Sequence, residues 1–63
     1  MTRAEAERIA ARLVTVEKED DPRWVANVVM VAGHRVVAER SRHHAEERAH
    51  VLRDAIVRAL VEG

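Results

Sequence analysis

His43, Glu46, Glu47 and His50 are the residues of this chain that come closest to a metal-binding set, since zinc and iron take imidazole and carboxylate ligands. Their spacing works against it. Two imidazoles sharing one ion on a helix stand four residues apart, whereas seven residues set His43 and His50 ~10 Å apart along a helix. A polar face near a helix start is the better reading, and no cofactor or metal is expected. Nucleophilic chemistry has fewer candidates still. The chain holds no cysteine, which removes thiol nucleophiles, thiolate ligands and disulfides together, and Ser41 is its only serine. Glu17, Glu19, Asp20 and Asp21 gather carboxylates, but acid–base work needs a cleft that perturbs a titratable group. A charge run beside a turn is solvated. No Gly-rich phosphate loop or nucleophile elbow occurs, and the expectation is a binding protein and not an enzyme.

Anion binding has better material. Arg40 and Arg42 flank Ser41, with His43 and His44 next and Arg35 earlier in the same stretch. A guanidinium grips an oxyanion with two parallel donors, and a helix N-terminus beside it adds its own attraction for negative charge. The competing reading is that these arginines solubilise and protect an edge strand. The net charge of zero argues against a strongly basic nucleic-acid binder, but the charge is segregated. Residues 17–21 carry four carboxylates against Lys18, a sum of −3, and residues 22–42 carry four arginines against Glu39, a sum of +3. A local basic patch is compatible with that pattern.

The elements that position these residues follow from periodicity. Thr2 and Glu5 have the spacing of a capping box, and Ala6, Ile9, Ala10 and Leu13 then form one apolar face, which predicts a helix from about Thr2 to Leu13. Val14–Glu19 alternates and is rich in β-branched residues, which predicts a short strand; the alternative is that it extends the first helix. Asp20-Asp21-Pro22 is expected to turn, Arg23–Ala32 to form the second strand, and Gly33 to turn the chain into a third strand, His34–Ser41. Ser41 is a candidate N-cap for a last helix, His43–Glu62, with Ala45, Ala49, Leu52, Ile56, Ala59 and Leu60 as its core stripe. The fold predicted is therefore α+β, in the order α-β-β-β-α: a three-stranded antiparallel meander with both helices on one face, in a single domain.

The second strand has two apolar faces. Trp24, Ala26, Val28 and Met30 contain no polar residue and are expected to meet the helices, with Trp24, the only aromatic, as core anchor. On that reading truncating Trp24 costs about 3–5 kcal/mol. Val25, Asn27, Val29 and Val31 make up the other face, which is too apolar for free solvation. Together with Val57 and Val61 on the last helix, the valines at 25, 29 and 31 predict an interface, and a homodimer is expected because a 63-residue chain built of Ala and Val buries little area alone. No apolar run is long enough for a membrane span and the first residues lack a signal-peptide core, so a cytoplasmic location is the expectation. Ten arginines against one lysine, with abundant Ala and Val, fit GC-rich coding, a property of a bacterial or phage genome and not of a function.

Two runs carry a family resemblance. Trp24-x-Ala26-x-Val28-x-Met30-x-x-Gly33 resembles the aromatic-led second strand of the double-stranded-RNA-binding domain, and Ser41-Arg42-His43-His44-Ala45-Glu46 followed by Ala49 resembles the start of its last helix. The resemblance spans residues 13 to 60. It implies the α-β-β-β-α fold and weak, sequence-independent binding to a duplex backbone through Arg40, Arg42, His43 and His44, as that family binds by shape over about 16 base pairs. The chain departs from the family in two places. Its loop between the first two strands is short and acidic, and the family's phosphate-gripping lysine cluster is replaced by Arg42, His43 and His44, of which only Arg42 is reliably charged at neutral pH. The trimmed topology also resembles HicB-type antitoxins, which implies instead a protein-interaction module of a phage or mobile element.

Overall fold

The computed structural model of the protein describes residues 1–21 and 23–63. Its elements are α1 (Arg3–Leu13), β1 (Val14–Asp21), β2 (Trp24–Val31), β3 (His34–Glu39) and α2 (Arg42–Glu62), and the strands form one antiparallel sheet in the order β1-β2-β3. The fold is the predicted α+β meander between two helices. Both predicted N-caps form. Thr2 Oγ1 accepts from the Glu5 amide at 3.2 Å and donates to the Glu5 carboxylate at 2.8 Å. Ser41 Oγ accepts from the His44 amide at 3.4 Å, and because Ser41 serves the helix, β3 ends at Glu39 instead of running on to it. Residues Val14–Asp21 are a strand and do not prolong α1. The β2–β3 turn sets Ala32 at φ 51° and Gly33 at φ 81°; two successive positive φ values are what a two-residue turn needs to match the strands' twist.

The turn expected at Asp20-Asp21-Pro22 begins later, since β1 continues through Asp20 opposite Val25 and Asp21 opposite Trp24; Pro22 lies outside the described residues. That displacement overturns the expected assignment of faces. A three-residue turn after Glu19 would set Val16 opposite Ala26. With only residues 22 and 23 between the strands, Val16 lies opposite Val29 and Val14 opposite Val31. A shift of odd parity moves every side chain to the other face. The valines of β1 thereby join Val29, Val31 and Val37, and α2 covers this layer with Ala45 and Ala49.

Trp24 is consequently no core anchor: it is 48% exposed, on the face that α2 does not cover. Ala26 and Val28 share that face yet are buried. Glu17, Glu19 and Thr15 of β1 stand opposite Val28, Ala26 and Met30. Arg35, opposite Met30, reaches Glu19 at 3.3 Å, a registration that carries the ion pair over Val28. Long charged side chains cover apolar surface in this way while keeping their ends in water. Asn27, the one buried polar residue among the described residues, is satisfied on the helix side: its side-chain amide donates to the Arg40 carbonyl at 3.0 Å and to the Glu39 carbonyl at 3.5 Å. It thus fixes the passage from β3 into α2.

The core has two parts because α2 outruns the sheet. Its first half packs on Val14 and Val29, with Leu52 and Ile56 at the margin; its second half packs on α1, where Val57 meets Ala6 and Ala10. Ile56 touches both. Arg53 ties the parts together from the side, with Nε at 3.1 Å and Nη2 at 2.8 Å from the Val14 carbonyl, where α1 gives way to β1. Among the described residues no fully buried side chain exceeds valine in size.

Candidate functional site

The residues predicted to hold phosphate meet at one corner, where β3 passes into α2. Arg40, Arg42, His43 and His44 are all exposed there. Asn27 grips the Arg40 carbonyl and Ser41 caps the helix, so the backbone of the corner is set by two side-chain contacts. The first turn of α2 contains no carboxylate. One turn further on, however, acids answer the cations. Arg42 Nε lies 3.3 Å from Glu46, and His43 Nε2 lies 2.9 Å from Glu47. Arg48 reaches back to Glu39 at 3.9 Å. Arg40 alone of the two arginines has no carboxylate within ion-pair distance among the described residues. Exposed pairs of this kind contribute little to stability, but they lower the positive potential that a phosphate would meet.

His43 and Glu47 share a face of α2 with His50, as their spacing requires, and the same shallow depression includes Glu46 and Val51. Among the described residues no group of three His, Asp or Glu side chains converges on a point that could hold an ion.

The predicted interface valines separate into two groups. Val29 is fully buried, Val57 is 4% exposed and Val31 packs against the core, so these three are used within the chain and do not face outward. Their burial follows from the register described above for the strand, and from α1 closing over the second half of α2 for Val57. Val25 and Val61 do remain exposed. Val25 lies where the β1–β2 hairpin projects past the end of β3, since β3 pairs with β2 only from Asn27 onward.

Sequence reasoning missed one apolar exposed surface. Val36 is 54% exposed and Val51 64% exposed. They line one groove of about 250 Å³ with Val37, Leu52 and Arg48, between β3 and α2. The cause is a β-bulge: Val29 pairs with Val37 and Met30 with Arg35, which leaves Val36 as the additional residue. Two residues of a bulged strand then oppose one on its neighbour, and Val36 joins Val37 on the helix side. Val51 gave a weaker signal, as an apolar residue on α2 outside the predicted core stripe.

Compared with protein-family models, curated proteins and solved structures, the chain matches none. Its class is therefore defined by architecture: an α+β domain of two helices and an open three-stranded antiparallel meander. Among the described residues no helix is long and apolar enough to cross a membrane.

Proposed function

We propose that the chain is a non-enzymatic protein-interaction module whose working unit is a homodimer. The supporting observation is its surface. The chain exposes 4769 Å², whereas a folded monomer of its mass exposes about 4,100 Å². Its radius of gyration is 12.9 Å and its extents 44 × 18 × 15 Å, against ~10.6 Å for a compact domain of this length. The surplus, roughly 700 Å², is near the ~800 Å² that each partner loses in a stable interface. A second copy would cover what the small core leaves open. Sedimentation equilibrium at micromolar concentration is expected to give twice the 7.1 kDa chain mass, and the thermal midpoint is expected to rise with protein concentration, as association demands. A folded species at the single-chain mass throughout that range, with a concentration-independent midpoint, rejects the reading.

A second reading is favoured by the corner at α2: backbone binding to duplex nucleic acid through Arg40, Arg42, His43 and His44. The observation behind it is the carboxylate-free first turn of α2 beside the unpaired Arg40. Binding of this kind is weak and indifferent to sequence, with a salt slope near −0.9 per phosphate neutralised on DNA. Arg40→Ala is expected to lower affinity for all duplexes alike and to flatten the slope by about one unit. Titration of labelled duplexes at low and moderate salt checks it. Absence of binding at low salt, where screening is least, removes this reading.

A further inference from the structure

We infer that the second copy docks on the groove between β3 and α2, with Val36 and Val51 of each chain meeting their counterparts across a two-fold axis. This assignment rests on the homodimer proposed above and names its contact surface. Three observations lead to it.

The exposed large apolar residues are Met1, Trp24, Val25, Val36, Val51 and Val61. Of these, only Val36 and Val51 line a common groove among the described residues, and its floor, Val37 and Leu52, is continuous with the main core. An apolar patch that extends the core to the surface marks a contact site. Trp24 and Val25 stand on opposite faces of the hairpin end, because neighbours on a strand alternate, and cannot form one patch.

The two edges of the sheet differ in the same sense. β1 carries Glu17, Lys18, Glu19 and Asp20, a charged edge of the kind that resists association. β3 presents His34-Arg35-Val36-Val37-Ala38-Glu39, with two valines at its middle. The bulge at Val36 interrupts regular pairing along that edge, which favours side-chain packing over simple strand addition.

The rim of the groove fits a like partner better than an unlike one. Arg48 lines it, and Glu39 holds Arg48 at 3.9 Å. One cation and one anion at the edge of the same apolar strip are self-complementary under a two-fold operation, where each surface must match itself. In the dimer Arg48 of one chain meets Glu39 of the other as readily as its own.

Val51→Glu is the deciding variant, read by sedimentation equilibrium beside the unaltered protein. Burying an unpaired carboxylate at the centre of an interface should raise the dimer dissociation constant about a hundredfold or more, while helical content by circular dichroism stays unchanged because the site is exposed in the single chain. Val36→Lys, on the other element of the groove, should act alike, so that the test survives a folding defect in either variant. Val25→Glu and Val61→Glu, at exposed sites outside the groove, should leave association within a factor of a few. If the unaltered protein is dimeric and the folded groove variants associate equally well, the groove is wrong and the homodimer stands. If Val25→Glu or Val61→Glu alone dissociates the pair, the interface lies at that residue and the assignment is overturned. A protein that is monomeric from the outset overturns the homodimer itself.

Discussion

Val29→Ala is expected to destabilise the protein by about 2–3 kcal/mol, and Trp24→Ala by less than about 1 kcal/mol. Residue size alone would predict the reverse order. Val29 is fully buried between Val14, Ala45 and Ala49, and shortening it opens a cavity that helix and sheet cannot close without moving together. Trp24, by contrast, is nearly half exposed beyond the reach of α2. A domain of this length is held by only ~3–9 kcal/mol in total, so the valine variant loses a large part of its stability. Urea unfolding followed by circular dichroism at one protein concentration makes the comparison; fluorescence cannot, since Trp24 is the only tryptophan. A larger loss from the tryptophan variant would place the core on the opposite face of the sheet.

Arg53→Ala has a comparable expected cost, about 2–3 kcal/mol, for a different reason. Two donors of one guanidinium serve the carbonyl of Val14, at 3.1 and 2.8 Å, and Val14 is itself fully buried. Hydrogen bonds from a charged donor contribute about 1.5–3 kcal/mol, and an acceptor left in the interior without its partner bears a desolvation cost in addition. Arg58→Ala is the control. Its guanidinium holds Asp54 at 2.8 Å across one helical turn, an exposed pair whose loss should change stability by no more than about 0.5 kcal/mol. Arg53→Lys should recover part of the loss, since an ammonium supplies the charge but not the planar fork. Equal effects from Arg53→Ala and Arg58→Ala in denaturant titrations would show that the Val14 contact carries no special weight.

Much of the fold was legible because local signals agreed with one another. Thr2 and Ser41 mark both helix starts, the apolar residues of each helix recur at its own period, and Gly33 marks the connection between β2 and β3. The arginines and histidines of the α2 corner were legible too, being exposed and adjacent in the chain. Which acids would answer them was only half visible: Glu46 and Glu47 stand one helical turn from Arg42 and His43, as spacing alone indicates, whereas Glu39 approaches Arg48 only through the packing of β3 against α2.

What the sequence determined by itself was the kind and order of the elements, because caps, turns and periodicity act over a few residues. Tertiary structure decided which side of each strand is the inside. β2 is apolar on both faces, so its own pattern could not choose; the choice came from β1, where Val14 and Val16 occupy one parity and Glu17 and Glu19 the other. The register that joins them depends on whether two or three residues separate the strands, and one residue reverses every side chain. The same physics buried Val29, packed Val31 against the core and left Trp24 outside. It also left Val36 on a bulge beside Val51, where two segments distant in sequence form an apolar groove that neither segment announces alone.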